Sequence, residues 1–438
     1  MRKLRVNCFL SVTILLILSA GNHAMATNGY FSQGYGVHGK GMVGVGITLP
    51  YSSLSSAVNP ASLAFLGRTR YDVAVSLFNP NRRFMVEGNP SGFPGTFPLA
   101  PGTTESDHSL FLIPAMAGSW RLNDKSALGV AIYGNGGMNT EYPAPVFGST
   151  DATTGVNLSQ LFINTSYARM IGENHSIGVS GIAAFQFFEA TGLENFAPFS
   201  SNPNALSSNG SDHSAGYGFR VGYQGALTDL IRIGIAYQSK IKMSEFEHYA
   251  GLFAEHGGFD IPANWTAGIS YKFSPDWLLA VDVQQILYST INSIANPIDP
   301  MALPPAFPDG NGGYIPNDNQ IPLGEDDGSG FGWNDMTVIK IGMEFTGIED
   351  WAIRAGFSFG DQPIKESEML FNILAPGIIE NHASAGFTWK MKEKNELSFA
   401  LTHGFLNSIS GPNPFEAQGQ QTIELEMDQW EFSVGFSF

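Results

Sequence analysis

Fourteen stretches of this chain place an apolar residue at every second position, near residues 69–79, 108–121, 126–136, 159–171, 175–190, 212–227, 230–243, 261–273, 277–291, 335–346, 351–361, 379–391, 395–407 and 424–438. In the last of them Trp430, Phe432, Val434, Phe436 and Phe438 alternate with Glu431, Ser433, Gly435 and Ser437. Side chains alternate across a strand, so each stretch has one apolar face and one small or polar face. The connectors alternate too. One set is tiny, such as Thr228-Asp229 and Ser274-Pro275-Asp276; the other is long and rich in Pro, Gly and Asn, the longest spanning about residues 292–334. An even strand count with short turns at one end and long loops at the other predicts an all-β fold, a fourteen-stranded antiparallel transmembrane β-barrel. A closed barrel is the one non-helical way to satisfy every backbone group in lipid.

Composition supports lipid over water as the solvent of the outer face. Charged residues make up 14% of the chain, well below the ~25% of a soluble domain. The face opposite the apolar one carries mostly Gly, Ser, Ala and Thr, where a soluble sandwich would carry Lys and Glu. The N-terminus reads as an export signal over residues 1–26: Arg2, Lys3 and Arg5, an apolar run over residues 8–18, then Ala24-Met25-Ala26 ahead of a cut before Thr27. Removing those three cations takes the formal charge from −17 to −20. That balance disfavours nucleic acid as a partner, since phosphate binding needs cationic patches. The only cysteine, Cys8, leaves with the signal, so no disulfide or thiol chemistry is expected in the mature chain.

Residues 27–67 do not alternate. They contain Gly34, Gly36 and Gly39 at the spacing of a dinucleotide-binding loop, but that loop needs a strand before it and a helix after it. Upstream lies only the cleavage site. The glycines are better explained as permitting a tight, irregular backbone in a crowded space. Next come Asn59-Pro60-Ala61 and the apolar Ser62-Leu63-Ala64-Phe65.

This segment, followed by fourteen strands, resembles the FadL-like family of outer-membrane transporters of long-chain fatty acids and other hydrophobic compounds. Further matches are the run from Gly134 through Asn135, Gly136 and Gly137 to Tyr142 on the third strand, Ile261-Pro262 with Trp265, Gly268 and Tyr271, and Trp277 with Asp282. The chain departs from many relatives in carrying Pro50-Tyr51-Ser52 where they have acidic residues. The resemblance implies an N-terminal hatch (27–67) inside a barrel (68–438), with Asn59, Pro60 and Ala61 at its gating turn. It also implies capture of substrate outside, passage to an apolar lumen site, and sideways exit where the third strand is kinked. Gly134, Gly136 and Gly137 interrupt that strand, and glycine within a strand marks a bulge or bend.

Arg220, Lys340 and Arg354 fall on the inward face by alternation. Each is a candidate partner for a substrate carboxylate, or for a lumen acid such as Glu344 or Asp282, or for the hatch. Phe196 and Phe199, in a loop with Leu193 and Leu206, are candidates for apolar contact with substrate.

No catalytic, metal or cofactor site is expected. Gly356-Phe357-Ser358-Phe359-Gly360 matches a nucleophile-elbow pattern, yet it lies within an alternating strand and not at a strand-to-helix turn. Asp309 and Asn311 open like a calcium loop, but Tyr314 replaces the required glycine and Gln320 the terminal Glu. The expected partners are a hydrophobic small molecule, outer-membrane lipid and the barrel assembly machinery, with the protein a monomer in the outer membrane of a Gram-negative cell. The alternatives are uptake of aromatic hydrocarbons by the same route and, more remotely, an outer-membrane lipid hydrolase or an adhesive barrel.

Overall fold

The alternation closes on itself. The computed structural model describes residues 28–391 and 395–438, so the signal region and the Lys392–Lys394 turn lie outside the described residues. Its wall consists of β1 (Arg70–Glu87), β2 (Phe111–Asn123), β3 (Ser126–Tyr142), β4 (Thr154–Ile171), β5 (His175–Thr191), β6 (Asp212–Ala226), β7 (Ile231–Gln238), β8 (Asn264–Tyr271), β9 (Trp277–Ile286), β10 (Met336–Ile348), β11 (Trp351–Gly360), β12 (Asn381–Lys390), β13 (Glu396–Pro412) and β14 (Thr422–Ser437). Each strand pairs with the next, and β14 returns to β1 from Asp72↔Ser437 to Glu87↔Thr422. The result is a closed fourteen-stranded antiparallel barrel. Among the described residues no helix is long and apolar enough to cross a membrane.

The two faces are those the period-two pattern predicts. On β1, Tyr71, Val75 and Leu77 are exposed outward while Arg70, Asp72 and Ser76 are buried inward. At the short-turn end the outward aromatics gather into a band: Tyr71 stacks on Phe438, Trp351 stacks on Trp389, and Trp277 lies tilted against Phe345. Such girdles mark the membrane interface of outer-membrane barrels.

Several strands differ in length from the sequence reading. β1 runs on to Glu87 and β3 to Tyr142, past the expected ends near residues 79 and 136. Above the lipid the apolar signal fades, but backbone pairing does not need it. β7 stops at Gln238, and Lys242–Met243 pairs instead with Tyr217 and Gly216 of β6. The short strand Gly102–Glu105 also pairs with the upper part of β1.

Candidate functional site

Residues 28–67 lie inside the barrel and are tied to its inward side chains all round. Gly46 and Ile47 donate backbone N–H bonds to one oxygen of Asp282 on β9, at 2.8 and 3.0 Å. Ser53 donates to Asp72 on β1 at 2.7 Å, and Val43 to Ser384 on β12 at 2.8 Å. Lys40 pairs with Glu431 of β14 and donates to Ser76 of β1 at 2.9 Å. The segment is too irregular to satisfy its own backbone, so the wall supplies the missing partners, as buried polar groups require.

Asn59 caps the 3-10 helix Pro60–Phe65. Its Oδ1 accepts from Ala61 N at 3.1 Å, and its Nδ2 donates to Ile47 O at 2.9 Å and to Tyr223 O of β6 at 3.0 Å. Pro60 follows at the first helical position, where a missing N–H costs nothing. Inward glycines of the wall make room for this turn. A Cβ on Gly222 would stand 2.1 Å from Asn59 Oδ1, and one on Gly178 would stand 2.4 Å from Ala61 N.

The third strand is broken at its glycines. Its pairing with β4 slips between Gly134 and Gly136 and leaves Asn135 as the extra, bulged residue. Asn135 turns inward, where its Nδ2 donates to Gln160 at 2.9 Å and its Oδ1 accepts from Tyr35 OH at 2.6 Å. Ser32 N donates to Asn135 O at 2.8 Å, and Gly137 N to Tyr30 O at 2.9 Å. The innermost chain thus adds a short bridge to β3 at the bulge, Phe31↔Gly136. On the other side, pairing of β3 with β2 stops at Ala115↔Tyr133, although β3 continues to Tyr142. Contact resumes only where Asp107 N donates to Glu141 O at 2.8 Å. Between these points the wall has a break, with residues 108–114 as one lip and 134–140 as the other.

Under the long loops, Val156, Phe188, Phe196, Phe253, Phe331 and Phe371 help line an apolar cavity of about 40 Å³. Phe196 sits in this lining, stacks on Phe97 at 4.8 Å and meets Phe371 edge-on at 5.5 Å. Phe199 packs beside it, 6.2 Å from the Phe196 ring centroid. A cavity able to hold benzene measures roughly 150 Å³, so a ligand enters only if these side chains move apart.

The three inward cations are buried and already engaged. Arg220 donates to Ala57 O in the inner segment and contacts Gln238 of β7. Lys340 donates to Gln33 O at 2.8 Å. Arg354 pairs with Glu344 at 2.6 Å, donates to Thr388 at 2.7 Å and lies 4.8 Å from the Tyr51 ring centre. They do not converge on one point. Asn135 and Arg82, which the sequence reading did not single out, stand at the wall break. Their signal was weak: one is a residue between two glycines, the other a cation beyond the expected end of its strand.

Ser358 of the elbow-like motif faces inward, with Oγ 3.4 Å from His382 Nδ1, and the other nitrogen of that ring meets Gln429 Nε2 at 3.0 Å. An amide therefore stands where a hydrolytic triad would need an acid. Among the described residues no group of His, Cys, Asp and Glu is placed to hold a metal.

Solved structures share this architecture, among them the following three. A FadL homologue of Pseudomonas aeruginosa aligns with a TM-score of 0.66 at 16% identity, covering 94% of this chain and 99% of that one. The toluene transporter TodX of Pseudomonas putida aligns with a TM-score of 0.63 at 16% identity, covering 94% and 99%. The toluene transporter TbuX of Ralstonia pickettii aligns with a TM-score of 0.61 at 16% identity, covering 92% and 98%. At such identities these likenesses speak for the fold. No curated protein matches the sequence. A family model described as outer membrane protein transport protein (OMPP1/FadL/TodX) matches residues 24–437. With that match spanning nearly the whole of a closed barrel, the chain belongs to the OMPP1/FadL/TodX family of outer-membrane transport proteins.

Proposed function

We propose that this protein carries hydrophobic molecules passively across the outer membrane of a Gram-negative cell, long-chain fatty acids foremost, without chemical change to the substrate. The carrying observation is the break between β2 and β3 beside a plugged lumen: β3 loses its partner at Tyr133 but runs on to Tyr142. An apolar molecule has no use for a water-filled pore, since its transfer from an apolar site into lipid needs only a dry path. In this reading the loop phenylalanines receive the substrate, residues 27–67 act as the hatch, and Asn59-Pro60-Ala61 sets the position of its turn. The bulge at Gly134, Gly136 and Gly137 keeps the side exit. Arg220, Lys340 and Arg354 hold the hatch and the wall in place, and substrate competes for them only once the hatch moves. The protein is secreted by its N-terminal signal, inserted by the barrel assembly machinery and works as a monomer.

A second reading is uptake of monoaromatic hydrocarbons by the same path. The cavity beneath the loops favours it, because Ser329 is the one polar side chain in its lining. Two of the similar solved structures are described as toluene transporters.

The test is uptake in a Gram-negative host that lacks its own hydrophobic transporter, with labelled oleate and labelled toluene. Wild type is expected to admit oleate, and Asn59→Ala to slow its entry several-fold, since the variant loses a cap and two further hydrogen bonds. Entry of toluene alone supports the second reading. Entry of neither, with the protein folded in the outer membrane, refutes both.

A further inference from the structure

Arg82 lies on the inward face of β1, behind the break in the wall, and is only 6% exposed. One guanidinium NH2 donates to the carbonyl of Asn139 and the other to the carbonyl of His108. Those carbonyls stand on opposite lips of the break, so this side chain spans it from within. Arg82 alone among the buried cations of the described residues combines two features. It belongs to no ion pair, as Arg220 and Lys340 also do not, whereas Arg70, Lys40 and Arg354 each have a carboxylate. Its Nε is buried and has no hydrogen-bond partner, a feature shared only with the ion-paired Arg354.

A buried guanidinium without an anion is costly, and neutral carbonyls compensate it less well than a carboxylate does. Arg82 also lines a small cavity whose other walls include Phe78, Met138, Trp333 and Met427. Phe111, one strand over, places its ring centre 5.8 Å from the guanidinium. The surroundings therefore offer apolar contact for a chain and one unmatched positive charge for a head.

We propose that Arg82 recognises the carboxylate of an aliphatic substrate at the wall break, and that this contact draws the guanidinium off one lip and so releases the exit. The proposal rests on the transport reading and narrows it to anionic amphiphiles. A guanidinium presents five N–H donors in a planar fork that matches a carboxylate in two-pronged fashion. A head group bound to Nε and one NH2 would replace one bond to a neutral carbonyl with two bonds to an anion. That exchange loosens the side-chain bridge between the Asn139 and His108 carbonyls. A neutral hydrocarbon cannot make the exchange.

The experiment compares oleate with methyl oleate on the full-length protein in micelles, each competing with a fluorescent fatty acid, for wild type, Arg82→Gln and Arg82→Lys. Wild type is expected to bind oleate roughly tenfold more tightly than its ester, the worth of one charge-assisted contact. Arg82→Gln is expected to bring that ratio close to one, while Arg82→Lys keeps a reduced preference. Equal binding of acid and ester by wild type overturns the proposal, and so does an unchanged ratio in a folded Arg82→Gln. If Arg82→Gln fails to fold, the wild-type ratio and the Arg82→Lys ratio decide. Uptake of toluene by wild type in cells, run in parallel, separates the two levels: toluene entry without acid preference removes the role of Arg82 and leaves transport standing, whereas no entry of any ligand removes both.

Discussion

Single residues decide whether the inner segment can lie against the wall. Gly136 has an ordinary φ; what it lacks is room, since a Cβ there would stand 2.0 Å from the Tyr30 carbonyl oxygen. That oxygen is backbone and cannot swing aside. Gly136→Ala is therefore expected to push residues 28–32 off β3 and to destabilise the protein by about 1–3 kcal/mol, as overpacking does. A guanidinium unfolding midpoint in micelles that matches wild type would refute this account of the glycine. Asn135 makes the complementary point. Its side chain and its carbonyl hold the bulge open toward the lumen through Gln160, Tyr35 and Ser32. The sequence marks the site with glycines, while the residue that does the bonding lies between them.

Among the elements, the loops above the barrel are built by packing and by a few buried acids. The 3-10 helix Glu194–Phe199 brings Phe196 into the apolar cavity and anchors its own start through Glu194. Partial burial acts to raise the Glu194 pKa, but hydrogen bonds from Ser149 and Ser208 outweigh it and hold the carboxyl at about 2, against an ordinary 4.5. A carboxyl with a depressed pKa stabilises the folded loop above pH 4.5, and that contribution is lost as pH falls through 2. Amide exchange in residues 192–211, corrected for intrinsic rates, is expected to stay flat from pH 7 to 5 and to rise between pH 4 and 2. Glu194→Gln should abolish that dependence. A rise of equal size in the variant would assign it to another group.

For the whole molecule, many separate bonds tie the inner segment to the wall. Asp282 is one such tie, in which a single carboxylate oxygen accepts two backbone N–H groups. Asp282→Ala leaves both donors buried without acceptors, at about 1–3 kcal/mol each. If residues 28–67 are the plug, wild-type barrels in a planar bilayer should pass little ion current and Asp282→Ala barrels several-fold more. Equal currents would show that the closure lies elsewhere.

The strand count, the closed barrel and the inward or outward facing of Arg220, Lys340 and Arg354 were legible without any coordinates. Period-two alternation is a local property, and a barrel in lipid obeys it on every strand. Strand ends were less legible, as β1 and β3 show, because pairing outlasts the apolar signal. What only the tertiary structure decided is who meets whom inside the barrel: Arg220 with Ala57, Lys340 with Gln33, and Arg82 between the two lips of the wall. These contacts join residues far apart in the chain, and nothing in the spacing of one strand states which part of an irregular segment will lie against it. Alternation tells a side chain which way to point; only closure of the barrel around residues 28–67 determines what it finds there.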